Sequence, residues 1–286
     1  MSDKNGHGHR GNQRTVGIAA ALTGVFMLAE VVGGIVSGSL ALLADAGHML
    51  TDFASLGLAW FGFQMAQRPA DSKRTYGFDR FSVLAAFVNG ITLFAIAIWI
   101  TVEAIRRFMD PGEVLGGMML WVAVAGLVVN ILAFIVLTRG EKENLNIRAA
   151  ALHVMGDLLG SVAAIAAALV IIFTGWMPAD PILSVLVALL ILRAAWLVIR
   201  DSGHILLEGT PKEFDRQAVK DALLEIDGVV SVSHMHAWLI TEERPMITLE
   251  VGVSTNSDEA KVKRTIKTRL QESFGIDHAT VETSTH

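Results

Sequence analysis

The chain has no cysteine, one tyrosine and six prolines, and only 18% of its 286 residues are charged. Without thiols there is no disulfide framework, thiolate metal centre or cysteine nucleophile, so any metal must be held by His, Asp and Glu. A soluble globular chain carries about a quarter charged residues, and the deficit argues against an ordinary soluble enzyme. Basic residues are also outnumbered: 23 Lys and Arg face 28 Asp and Glu, a net charge of -5. Such a balance offers no basic field for nucleic acid. No Gly-rich phosphate loop occurs, so no nucleotide is expected as a partner. What the chain has in quantity is apolar residues, 52% of the total, with a mean hydropathy of +0.51.

A membrane-spanning helix needs about 20 predominantly apolar residues. Six segments qualify, at roughly 16–37, 40–65, 81–108, 114–138, 147–174 and 181–200. No secretory signal pattern precedes the first run, which is too long for a signal h-region and is expected to be a retained span. Basic residues gather on one side: Lys4, Arg10 and Arg14; Arg68, Lys73, Arg74 and Arg80; Arg139, Lys142 and Arg148. The opposite loops carry only Arg106 and Arg107. The positive-inside rule therefore places both termini in the cytoplasm. The expected class is an α-helical polytopic membrane protein with six spans over residues 15–203, a disordered His-containing tail at 1–14 and a small cytoplasmic domain at 204–286.

After Arg200 charge thickens and the pattern becomes that of an α+β domain of order αββαβ, ferredoxin- or metallochaperone-like. Thr210, Pro211 and Glu213 have the spacing of a capping box with Pro at the first helical position, which predicts a helix from there to about Ile226. GVVSVSHMHAWLI and MITLEVGVS read as two strands joined by a turn. A helix over about 258–274 and a strand near 279–283 complete the order.

A charged side chain near the bilayer centre costs at least about 2.5–3.5 kcal/mol, so intramembrane ionisable residues need a reason. Span 2 carries Asp45, His48 and Asp52; span 5 carries His153 and Asp157. His-x-x-x-Asp thus occurs twice. A spacing of four stacks the two side chains on one helix face, about 6 Å apart. Two such antiparallel helices would converge two imidazoles and two carboxylates, the tetrahedral set that zinc accepts at about 2.0–2.2 Å. The bland alternative, interhelical hydrogen bonds that stabilise the bundle, weakens when the same pair recurs on a second helix. Asp45, three residues before His48, is either an outer partner that orients the imidazole or a gate residue.

Glu30, Asn89, Glu103 and Asn130 each stand alone on a span and are expected to make helix-helix hydrogen bonds or to snorkel. Gly24, Gly33 and Gly34 in span 1 and Ala163, Ala164, Ala166, Ala167 and Ala168 in span 5 suit close helix packing. In the tail, His234 and His236 share a strand face, and Glu250, Asp277, His278 and Glu282 could complete a metal site with them. Exposed polar residues on a half-solvated sheet explain the same pattern. His7 and His9 belong to the expected disordered tail.

Together, six spans, ADAGHMLTD around His48 and Asp52, the second pair at His153 and Asp157, the loop TYGFDR, the joint ILLEGTP and an αββαβ tail containing HAW resemble the cation diffusion facilitator family, in its zinc-transporting branch. The resemblance covers nearly the whole chain. It implies a homodimeric secondary transporter in the inner membrane of a bacterium, whose cytoplasmic domains contribute to the dimer and which exports divalent metal in exchange for protons. On that reading Zn2+ is the transported substrate, not a cofactor, and the chain is not an enzyme. Two departures stand out. The family's His-Asp-Leu-His-x-Trp is Ser233-His234-Met235-His236-Ala237-Trp238 here, and Gly-Trp-His-Arg-Ala-Glu becomes Gly77-Phe78-Asp79-Arg80-Phe81-Ser82. With only Asp71 and Asp79 left, no metal site is expected in the loop after span 2.

The four-ligand set would itself couple metal to protons. Ligands must be deprotonated to bind, so binding releases protons, and an imidazole has an unperturbed pKa of about 6.5. If the site faces the two sides alternately, competition becomes exchange. Other functions keep a claim on the motif: export of Cd, Co, Ni or Fe(II), which also bind His/Asp sites, an intramembrane metalloenzyme, or a metal sensor. A catalytic zinc, however, keeps an open position and a base, and no H-E-x-x-H is present.

Overall fold

The computed structural model describes residues 6–50, 53, 65, 71–138 and 145–285, with side chains except those of 6–20, 136–138 and 145–154. Six helices come first: α1 Gly6–Ser37, α3 Arg80–Met109, α4 Gly116–Thr138, α5 Leu145–Thr174 and α6 Ala179–Leu206, with α2 Leu40–Leu50 between the first two. Helix α1 begins at Gly6, within the stretch expected to be a disordered tail. Among the described residues four helices are long and apolar enough to cross a membrane, within α3, α4, α5 and α6, while the described apolar parts of α1 and α2 are shorter. The chain divides into two compact units, Met1–Gly57 with Asn89–Leu197, and Leu58–Val88 with Val198–His286.

In the first unit small residues set the helix spacing. A methyl on Gly33 of α1 would lie 2.6 Å from Val122 Cγ2 of α4, one on Gly126 of α4 2.6 Å from Phe26 Cζ of α1, and one on Gly116 of α4 2.9 Å from Ile172 of α5. Backbones therefore approach closely along α1, α4 and α5, and dispersion contacts hold helices whose outer faces meet lipid rather than water. Ala164, Ala167 and Ala168 of α5 are buried against Met119 and Ala123 of α4 and Ala41 and Leu42 of α2. Ala166, expected on the same packing face, points outward, and Ala163 is only half-buried. Large apolar side chains such as Trp121, Leu159, Phe173 and Leu190 lie exposed on the outside, as suits a hydrocarbon surround.

In the second unit the tail elements follow the order αββαβ: α7 Arg216–Leu224, β1 Val229–Thr241, β2 Arg244–Val253, α8 Glu259–Phe274 and β3 His278–Thr285. The sheet order is β1-β2-β3, antiparallel between β1 and β2 and parallel between β2 and β3. Ile247, Leu249, Val251 and Val253 of β2 pack under Val219 and Leu223 of α7 and Val262, Ile266 and Leu270 of α8.

One expectation fails here. Thr210 and Glu213 form no capping box, for α7 starts six residues later. Asp215 is its N-cap, accepting from the Gln217 and Ala218 amides, and residues 211–214 make a turn closed by Phe214 N–H donating to Pro211 O at 3.0 Å. Two caps competed for one helix, and the later one lies directly before the residues whose apolar positions, Val219 and Leu223, bury. Helix α8 is capped by Asp258 and ends on Gly275, whose φ of +66° is a left-handed stop that glycine adopts without steric cost. In the same unit Val83 of α3 and Ile205 of α6 pack with Leu239 of β1, Arg80 stands 3.6 Å from Glu208, and Arg244 pairs with Asp79.

Candidate metal centre

The first unit brings one imidazole and one carboxylate of the two His-x-x-x-Asp motifs together across α2 and α5. His48 Nε2 lies 3.9 Å from Asp157 Oδ1, and the Asp157 side chain is only 3% exposed. Two ligands of one tetrahedral zinc, each about 2.0–2.1 Å from it, stand roughly 3.4 Å apart. The observed separation is within about half an ångström of that. Of the partners, Asp52 lies outside the described residues, and His153 lies on α5 one turn before Asp157.

Asp45 is one turn up α2 from His48 and is buried. Its Oδ1 comes within 3.6 Å of where a methyl on Gly160 of α5 would be, so it too faces α5. Its carboxyl lies beside that of Glu30 of α1, itself 1% exposed. Glu30, expected to make a helix-helix hydrogen bond or to snorkel, is thus buried beside a residue of the candidate site. Sequence alone gave no way to choose that neighbour, since α1 and α2 are consecutive and their mutual rotation depends on packing around Gly34, where an added methyl would meet Leu43 Cγ at 2.8 Å. On α5, Ser161 accepts from Asn130 Nδ2 of α4 at 3.3 Å. Glu103 pairs locally with Arg106 and Arg107 on α3.

The start of α2 is held by residues that the sequence reading passed over. Ser39 Oγ accepts from the Leu42 amide at 3.2 Å, while Asp180, the second residue of α6, accepts from the Leu40 amide at 2.9 Å, the Ala41 amide at 3.2 Å and the Ser39 hydroxyl. Arg107 donates to Gly38 O. The signal was present: Ser before an apolar helix is an N-cap, and an Asp-Pro pair marks a helix start. That the acid caps a different helix is a tertiary fact.

The tail candidates are spread along the sheet. Glu250 is in register with Ser233 on β1 and Glu282 on β3, Thr248 with His236 and Thr280, and Met246 with Trp238 and His278. At about 3.3 Å per residue, His278 and Glu282 stand roughly 13 Å apart along the strand. A register shift between Ser233 and His236 makes His234 part of a bulge with a left-handed φ of +46°, and its Nε2 lies 3.9 Å from Glu250 Oε2. His278 contacts the Tyr76 ring edge-on. Among the described residues no group of three or more His, Asp or Glu is placed to hold a metal ion. In the loop, Asp71 accepts from the Lys73 amide at 2.8 Å and the Arg74 amide at 2.6 Å, and Asp79 is paired with Arg244.

Two family models match the chain: the cation efflux transmembrane domain over residues 16–207 and the cation efflux protein cytoplasmic domain over residues 211–284. The zinc transporter ZitB of Escherichia coli (strain K12) is 52% identical over 273 residues, 95% of this chain and 87% of that protein. The metal cation efflux system protein CzcD of Cupriavidus metallidurans is 41% identical, with 97% and 89% covered. A cadmium, cobalt and zinc/H(+)-K(+) antiporter of Bacillus velezensis is 42% identical, with 98% and 91% covered.

Proposed function

The chain belongs to the cation efflux family, and from that premise we propose that it exports a divalent metal cation, zinc first among them, across a bacterial inner membrane in exchange for protons. The names of its relatives, a zinc transporter and a cadmium, cobalt and zinc antiporter, support the substrate class. His48, Asp52, His153 and Asp157 are the ligands.

One observation carries this site: the register of α2 against α5. Asp45 lies against Gly160 and His48 against Asp157. In both pairs the residue numbers add to the same total, as they must along antiparallel helices of equal rise. At the described level the His of one motif stands opposite the Asp of the other. Asp52 and His153 are taken as the other two ligands from the spacing of four within each motif.

Four such ligands fill the coordination of a tetrahedral ion, which favours carriage over catalysis. Metal enters only as protons leave the ligands, and a site presented alternately to the two sides exchanges one for the other. Six spans over residues 15–203, cytoplasmic termini and a homodimer joined in part through residues 204–286 complete the proposal. The pair His234 and Glu250 has no part in it. Zinc uptake into proteoliposomes tests the site: Asp157→Ala and Asp52→Ala each lower flux by about 100-fold or more, beyond the 10- to 100-fold typical of losing an outer-shell partner, while the protein still inserts and dimerises. Wild-type flux in either variant would place the site elsewhere.

A further inference from the structure

A helix exposes four amide N–H groups at its start, and a helix end buried in apolar surroundings must find partners for them. In α2 they come from another helix. Asp180 is 0% exposed, and its carboxylate accepts from the amides of Leu40 and Ala41 and from the Ser39 hydroxyl. Ser39 in turn accepts from the Leu42 amide. The carboxylate also places a negative charge at the positive end of the helix dipole. The Gly38 carbonyl receives Arg107 of α3, Leu115 N–H donates to Ser37 O at 2.8 Å, and Ser184 Oγ anchors the Asp180 backbone carbonyl at 2.7 Å.

We infer that Asp180 is a positioning residue for transport: by capping α2 from α6 it fixes the depth and rotation of the helix that carries His48. The inference rests on the reading that α2 and α5 hold the transported metal. Asp180 touches neither metal nor ligand. Its influence runs down about two turns of α2 to His48 and reaches a site whose geometry tolerates errors of only about half an ångström. Removing the carboxylate leaves two amides and a hydroxyl without acceptors, and α2 can recover them only by shifting or fraying at its start.

The test uses the full-length purified protein and zinc alone. Zinc-dependent flux in proteoliposomes gives KM and kcat, calorimetric titration gives zinc affinity, and thermal unfolding gives stability. Asp180→Ala raises KM and weakens zinc binding together by roughly tenfold, with a smaller change in kcat. Asp180→Asn, which keeps one acceptor oxygen but turns the other into a donor facing an α2 amide, falls between wild type and Asp180→Ala. Should Asp180→Ala fail to insert, Ser39→Ala shifts KM in the same direction by about threefold. A lower unfolding temperature with unchanged KM would reduce Asp180 to a fold-stabilising residue and overturn the inference. Asp157→Ala serves as the control: zinc binding retained there overturns the metal site and this inference with it, whereas binding lost there and unshifted in Asp180→Ala and Ser39→Ala overturns this inference alone.

Discussion

Among single residues, the informative contrast is between His48 and Asp157, which meet, and Asp45, which sits one turn away beside Glu30. A residue that orients or neighbours a ligand without binding metal contributes about 10- to 100-fold when lost. Asp45→Ala is therefore expected to weaken zinc flux by about tenfold, an order of magnitude less than loss of Asp157. Flux measured at several zinc concentrations checks this, and an effect as large as that of Asp157→Ala would make Asp45 a ligand. The sequence made His48 and Asp157 legible because a costly side chain repeated at the same spacing on two apolar runs has few structural explanations. Glu30 and Asp180 were not legible in the same way. Each is a lone acid whose role depends on which helix lies beside it, and no spacing within one helix encodes that.

For whole elements, the helix starts divide along the same line. The tail order αββαβ and the α8 cap at Asp258 follow from local pattern, whereas the predicted start of α7 at Thr210 does not survive, because Asp215 caps the helix where Val219 and Leu223 bury. An N-cap Asp contributes about 1 kcal/mol, within a range of 0.5–2. Asp215→Ala should lower the stability of the tail by that amount in a denaturant titration followed by α7 amide exchange, and Thr210→Ala should change it by only a few tenths. The reverse order would restore the capping box. The bulge at His234 was equally hidden, since strand alternation alone predicts an uninterrupted ladder. Close packing at Gly33 was legible, because small residues in an apolar span permit little else. The facing contact at Gly126 of α4 needed the neighbouring helix.

Considered as a whole molecule, the chain carries its basic residues on alternate loops, and that asymmetry sets orientation. The absence of cysteine makes the prediction simple to check, because a single introduced thiol has no background. In intact cells a cysteine replacing Ser72 should be protected from a membrane-impermeant maleimide, and one replacing Gly112 should be labelled, with at least about a tenfold difference in labelling rate because Ser72 lies in the strongly basic loop. Labelling of both, or the opposite pattern, would reject cytoplasmic termini. The two units divide α3 and α6 between them, so the same helices that span the membrane also enter the tail's own packing at Val83 and Ile205.

The central claim is that metal and protons compete for one site between α2 and α5 and that this competition drives export. It is tested most directly by zinc flux in proteoliposomes containing the wild-type protein, with and without an imposed pH gradient and with internal pH followed at the same time. Zinc should enter faster when the lumen is acidic, each influx should be matched by proton efflux, and both signals should vanish together in Asp157→Ala. Zinc flux that ignores the gradient and leaves internal pH unchanged would contradict the account.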